Sequence, residues 1–201
     1  MADKIDSQLI RRSLKIALVF QIGWVITGLI FSLFGAKVSW VLLVANMLTL
    51  WAPALFMIVT RLNLSDKFQV GFAIFITASS LIGSALGGYG GIPNWDTIVH
   101  VYSGTMLAWF GFIIATNAEV SIKKPLPLWF KNTVAFMTPL AFAAVWEIYE
   151  YASDVFLGTT MQAGGLQDTI IDMLAAFIGA TVALIISILW FGNQRNRSQK
   201  K

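Results

Sequence analysis

Residues 146–173 read WEIYEYASDVFLGTTMQAGGLQDTIIDM, and this stretch decides how the rest of the chain is interpreted. It joins two strongly apolar segments and concentrates carboxylates where they meet, at Glu147, Glu150, Asp154, Asp168 and Asp172. An earlier piece, NWDTIVH at residues 94–100, adds a further carboxylate, Asp96, and the one histidine of the chain. The pattern indicates a membrane protein with several spans and a polar site near one face.

The composition supports lipid as the solvent of this chain. Of its 201 residues 57% are hydrophobic and only 12% are charged, against about 25% in soluble domains. An open β-sheet would leave backbone groups unsatisfied in hydrocarbon, so we expect an all-α fold, a polytopic bundle of six transmembrane helices. The chain has no cysteine, which excludes disulfides and thiolate chemistry.

Six apolar segments are long enough to cross a bilayer core, which takes about 20 helical residues. They are predicted at residues 16–34, 38–60, 68–86, 96–117, 132–151 and 168–191, within a single integral membrane domain covering residues 1–201. Pro53 and Pro139 are expected to bend the second and fifth spans. Glycine and proline predict loops at residues 87–94 and 152–167, and a polar connection is predicted at residues 119–131.

The basic residues predict the orientation. With six spans, four Lys and Arg precede the first span, two lie in the loop at 61–67, three at 119–131 and four in the tail, which places 13 of 14 on one side. The positive-inside rule puts that side, and both termini, in the cytoplasm of a bacterial plasma (inner) membrane. The net charge of +4 therefore reflects topology, and nucleic acid is not an expected partner.

Helical spacing places the residues of the acidic cluster in pairs on the same helix faces. Asp96 and His100 are four residues apart, as are Asp168 and Asp172, while Glu147 and Glu150 are three apart, so each pair shares one face of its helix. Three helices thus direct polar pairs toward the outer end of the bundle.

Simpler roles exist for several of these residues. Asp96 and Asp168 each open a helix, where an aspartate caps free N–H groups. A lone His100 is typical of a hydrogen-bonded interior residue, and Asp154 of a solvated loop. Glu147, Glu150 and Asp172 resist such roles, because the glutamates lie at a helix C-terminus and Asp172 lies inside an apolar segment.

The negative charge of such a cluster has to be compensated, either by protons on some carboxyls or by a bound cation. One histidine with several carboxylates suits Mn, Fe, Zn or Mg. We predict a divalent-metal site whose ligands are His100, Asp172, Asp168 and Asp96, with Glu147 and Glu150 as catalytic residues.

Several motifs resemble the YjdF-like family of bacterial multi-pass inner-membrane proteins, a domain of unknown function. They are W-D-x-x-x-H at 95–100, W-E-x-x-E at 146–150, L-G at 157–158 and Q-x-G-G-L-x-D-T-x-x-D-M at 162–173. The D-x-x-x-H piece is also similar, more loosely, to VanZ-type membrane proteins. The resemblance implies a multi-pass fold and points to the same residues, but it implies no reaction.

Three functions stay open at this point. The first is a metal-dependent membrane enzyme acting on a lipid or lipid-linked small molecule at the outer leaflet. The second is a small transporter of protons or cations, since intramembrane carboxylates often line such paths. The third is a non-catalytic protein whose cluster is structural. In each case membrane lipids are expected partners.

Overall fold

The computed structural model describes residues 7–162 and 164–198, and within them every regular element is helical. The α-helices are α1 (Ser7–Leu33), α2 (Trp40–Asn46), α3 (Ala52–Thr60), α4 (Asp66–Ile76), α5 (Gly88–Gly91), α6 (Trp95–Ile122), α7 (Leu128–Leu157) and α8 (Leu166–Ser198). A 3₁₀ segment, Met47–Trp51, joins α2 to α3, and a π-helix, Thr77–Ala85, continues α4.

The predicted all-α fold with six spans is confirmed. Within the described residues six helical segments are long and apolar enough to cross a membrane, namely Ser7–Leu33, Trp40–Thr60, Asp66–Ala85, Trp95–Ile122, Leu128–Leu157 and Leu166–Trp190. Two predicted connections are too long: the polar connection is limited to residues 123–127, and α7 continues to Leu157, so that Asp154 belongs to a helix rather than a loop. Helix termini tolerate polar residues, which hydropathy alone assigns to loops.

The second span is broken where its proline predicts a bend. Pro53 lies at the start of α3, and its ring excludes the helical bond to the carbonyl four residues earlier, that of Thr49. The N–H of Ala52 bonds to Thr49 instead, so the backbone tightens into a 3₁₀ segment just before the proline. In contrast, α7 runs through Pro139 as one continuous helix.

Residues 87–94, predicted as a loop, contain the helical turn α5. Gly87 makes this possible with φ of +76°, a conformation that glycine adopts without steric cost, and its carbonyl accepts the N–H groups of Gly90 and Gly91. The prediction that the glycines break all regular structure is therefore wrong for this one turn.

The described chain forms two compact units that divide within α6, between Val99 and His100. In the first unit Trp24 is buried in an apolar core, and its indole N–H donates to Thr77 Oγ1 at 2.9 Å. The indole of Trp95 donates to the carbonyl of Ala78 at 3.0 Å, which ties the first turn of α6 to the π-helix. In the second unit α7 packs along α8, and the rings of Phe136 and Phe177 meet edge to face.

Candidate metal centre

Three predicted ligands converge near the start of α6 and α8. Asp96, His100 and Asp172 each offer one ligand atom, and these atoms all lie within 4.8 Å of one another. His100 Nε2 is 3.9 Å from Asp172 Oδ2. Asp96 and His100 stand one turn apart on α6, as their spacing predicts, and Asp172 lies in the second turn of α8.

The group is withdrawn from solvent and from lipid. Asp172 is 2% exposed and His100 is 9% exposed, while Asp96 nearer the helix start is half-buried. Ionised carboxylates are rarely buried without a partner. The sequence supplies no Lys or Arg between Lys67 and Lys123, or between Lys131 and Arg195. Asp172 faces the imidazole of His100, and the positive dipole ends of α6 and α8 also favour negative charge here.

Glycines bring α6 and α8 close enough for these side chains to meet. A Cβ at Gly104 would collide with the carbonyl oxygen of Ala176, and a Cβ at Gly179 with that of Val101. The hydroxyl of Thr105 donates to the carbonyl of Gly179 at 3.2 Å, across the same crossing. The backbones therefore touch one turn below His100 and Asp172, in the manner of small-residue helix contacts in membranes.

Two contacts between the parallel helices α6 and α8 join an α6 residue to the α8 residue 72 positions later. His100 faces Asp172, and Gly104 faces Ala176. The same offset aligns DTIVH at 96–100 with DTIID at 168–172, so both helices start with nearly the same pentapeptide. This match is the signal in the sequence that relates the two ligand-bearing helices.

The fourth predicted ligand, Asp168, is not in the group. It lies in the first turn of α8 beside the preceding loop, where a Cβ at Gly164 would be 3.3 Å from Asp168 Oδ1. The structure thus brings together three of the four predicted ligands, and a metal-binding role for Asp168 stays a prediction.

The predicted catalytic residues Glu147 and Glu150 are both buried on α7. Gly111 of α6 lies against Ala135 and Thr138 of α7. Because the two helices run antiparallel, following each for about 16 Å from this contact toward the start of α6 brings His100 level with the glutamates. They are not members of the three-residue group, and a catalytic role for them stays a prediction.

The two glutamates differ in their surroundings. Glu150 Oε1 accepts from the indole N–H of Trp146 at 2.8 Å. Glu147 Oε2 accepts a longer bond, 3.4 Å, from the side-chain amide of Gln162, and Glu147 Oε1 is buried with no hydrogen-bond partner among the described residues. A buried acceptor without a donor costs free energy of folding, so Glu147 is the carboxylate with an acceptor available for a further hydrogen-bond donor or cation.

Gln162 was not a predicted site residue. Its amide nitrogen also donates to Thr169 Oγ1 at 2.8 Å, so it links Glu147 on α7 to α8 about one turn before Asp172. Its place at the head of the QxGGLxDT motif is the signal that marks it.

Asp154 organises the loop that carries Gln162. Its carboxylate accepts from Thr159 Oγ1 at 2.6 Å and from the N–H groups of Met161 and Gln162 at 2.7 and 2.9 Å. The interpretation of Asp154 as a solvated loop residue is wrong in its position, because α7 continues to Leu157. It lies in the last turns of α7, where its side chain reaches back over the loop.

We expect Asp154→Asn to loosen this loop while leaving the helices folded. The neutral side chain loses charge-assisted bonds, so exchange of the Met161 and Gln162 amide hydrogens should accelerate severalfold. Hydrogen–deuterium exchange with mass spectrometry measures this. Thr159→Val removes a single side-chain bond and serves as the milder control; equal exchange in wild type and Asp154→Asn would contradict the assignment.

The donor set fits a divalent cation. One imidazole and two carboxylates are ligands of Zn, Mn and Fe, and carboxylates also serve Mg. Ligand atoms about 2.1 Å from one ion lie about 3.0–3.4 Å from each other in octahedral or tetrahedral geometry. The 3.9 Å between Nε2 and Oδ2 closes to that range by small side-chain rotations.

A family model described as predicted membrane protein (DUF2238) matches residues 16–193. The chain belongs to this family. The resemblance to a multi-pass membrane family of unknown function is thereby confirmed, whereas the looser likeness to VanZ-type proteins stays a prediction.

One protein similar in sequence to this DUF2238 chain is an uncharacterized protein of Thermotoga maritima. The two are 24% identical over 141 residues, which cover 68% of this chain and 70% of the relative. No solved structure matches the chain.

Proposed function

We propose that this DUF2238 protein is a divalent-metal-dependent enzyme of the bacterial plasma membrane, acting on a lipid or lipid-linked substrate at the outer leaflet. The observation that carries the proposal is the convergence of Asp96, His100 and Asp172 in a buried group without basic residues nearby in sequence. A bound cation would be held by the imidazole nitrogen and the two carboxylate oxygens, a donor set that divalent metals accept.

The proposed orientation follows from the charge pattern. Both termini are cytoplasmic, because six spans leave 13 of the 14 Lys and Arg residues on that side. Four of the residues that this pattern assigns to the cytoplasmic side form ion pairs, Arg12 with Asp66 and Lys131 with Glu119, each at 2.9 Å. The metal group then lies near the outer leaflet.

The depth of the group suits a headgroup substrate. Asp96 and His100 lie about 2 and 8 Å below the start of α6 at ~1.5 Å per residue, and each headgroup region of a bilayer is roughly 5–8 Å thick. A phosphate or ester oxygen of a lipid would thus reach the site without leaving the membrane. A divalent metal bound there would polarise that oxygen or lower the pKa of a bound water.

Glu147 has the properties of the general base in this proposal. Its unpartnered Oε1 is available to accept a proton from an attacking water, while Gln162 holds Oε2. Glu150 is engaged by Trp146, which suits a supporting role beside the site. Asp168, four residues before Asp172 on the same face of α8, is proposed as a further ligand.

Transport is the weaker alternative. Below the metal group the α6–α8 crossing is lined by buried small apolar residues, Ala108 and Ala180, and the cytoplasmic halves of these spans carry no carboxylate until Glu119. A proton or cation path requires polar groups along the whole crossing.

Metal content is the first test. The protein is purified in detergent without a chelator or a metal-affinity column, and bound metals are counted by mass spectrometry. We expect near-stoichiometric divalent metal in the wild type and in the remote control Asp66→Asn, and its loss in His100→Ala and Asp172→Asn. A wild type without metal, or variants that keep it, would overturn the metal site.

The catalytic part of the proposal is tested separately. The metal-loaded protein is incubated with lipid phosphates and phosphate release is followed, with Glu147→Gln as the variant that keeps the metal. Release that is lost in Glu147→Gln at unchanged metal content supports the enzyme. Metal binding without any release would retain the metal site and overturn the enzymatic role.

A further inference from the structure

A shallow apolar groove runs along α1 in the first unit, and none of its lining residues belongs to the proposed enzyme site. Its volume is about 260 Å³, and it is lined by Leu18, Gln21, Ile22, Val25, Ile26 and Met47. The one polar lining residue is satisfied internally, because the Gln21 amide donates to the Met47 carbonyl at 3.0 Å. The groove is therefore suited to a hydrocarbon chain.

Positive charge continues the same helix face beyond one end of the groove. Arg11 and Lys15 precede Leu18 and Ile22 at spacings of three, four and seven residues, which keeps all four on one stripe of α1. Both basic side chains are exposed. Neighbouring Arg12 points elsewhere, into its ion pair with Asp66.

The dimensions of this stripe match one leaflet. From Leu18 to Ile26 the helix rises about 12 Å, and half of a ~30 Å hydrocarbon core is about 15 Å. Lys15 lies roughly one turn beyond the groove, at the level that a phosphate occupies and that long basic side chains reach. The apolar groove therefore matches a phospholipid acyl chain in length, and the basic residues beyond its end match the position of the phosphate.

We propose that this face of α1 binds one anionic phospholipid, with an acyl chain in the groove and its phosphate between Arg11 and Lys15. Anionic headgroups gain energy from each Lys or Arg near the membrane surface, whereas a zwitterionic lipid gains less. The proposal is independent of the metal centre and of any enzymatic activity.

Lipid retention tests the proposal. The full chain is reconstituted in vesicles of phosphatidylcholine containing about 10% phosphatidylglycerol, extracted in mild detergent, and its co-purified lipids are counted by mass spectrometry. Two cations predict an enrichment of phosphatidylglycerol by about tenfold or more over the bulk ratio. The double variant Arg11→Gln/Lys15→Gln should return it to the bulk ratio, while Lys67→Gln, which removes a charge at the same membrane face, should retain it.

A second pair of measurements separates lipid binding from misfolding. Leu18→Trp fills the groove with both charges intact and should lower retention. A photo-crosslinking amino acid at position Ile22, which leaves the charges in place, should form a lipid adduct, whereas one at exposed Val19 outside the groove should not. Retention at the bulk ratio in the wild type, equal retention in all variants, or a dimer mass without lipid, which would assign the groove to a second copy, would each overturn the proposal.

Discussion

Adding Mn²⁺ to the metal-free protein is expected to raise its free energy of unfolding by about 2.7 kcal/mol when the free ion is at 100 times its dissociation constant. For a chain of this size that corresponds to a melting-temperature increase of roughly 5–10 °C. The increase should be absent in His100→Ala and Asp172→Asn and unchanged in the remote Asp66→Asn. Thermal scans in detergent before and after a chelator measure it.

The stability of the metal-free protein provides an independent test of Asp172 as a metal ligand. Without the ion, Asp172→Asn removes one of two facing negative charges, since Asp96 and Asp172 belong to one group. We therefore expect the metal-free variant to be at least as stable as the metal-free wild type, and the order to reverse when metal is added. A variant less stable than wild type in both states would show that Asp172 is a structural residue rather than a ligand.

Gly179→Ala is expected to destabilise the protein by about 3 kcal/mol or more, although it adds a single methyl group. That methyl would meet the carbonyl of Val101 and the backbone nitrogen of Thr105, and backbone atoms cannot rotate away as a side chain does. The α6–α8 pair must separate, so metal affinity should fall together with the melting temperature.

Gly23→Ala is the matched control for that prediction. Gly23 lies within α1 and a Cβ there would have nothing within 4 Å. Alanine in an open helical position stabilises by about 0.5–1 kcal/mol relative to glycine, so the same substitution should have opposite signs at the two sites. Equal effects would contradict the close crossing.

Hydropathy predicts the spans well because each helix has to satisfy its backbone and its length within the bilayer. It does not predict the 3₁₀ segment at Met47–Trp51 or the π-helix at Thr77–Ala85, since these depend on local packing and on the bonds that Pro53 removes. Hydropathy also ends helices too early at charged residues, as at Asp154, because a helix extends beyond the apolar part of its sequence.

The site was predictable to the extent that one helix determines it. A spacing of four residues places Asp96 and His100 together whatever the tertiary structure. The same spacing joins Asp168 to Asp172, yet Asp168 lies beside the loop at Gly164, because a residue in the first turn has the preceding chain as a competing neighbour. Gln162 belongs to a loop, where no periodicity guides an assignment.

The matching starts of α6 and α8 have a consequence for the geometry of the ligands. Equivalent positions of the two matching segments contact each other, His100 with Asp172 and Gly104 with Ala176. The facing ligands at these equivalent positions are therefore a mixed pair, with a nitrogen donor on one helix and an oxygen donor on the other.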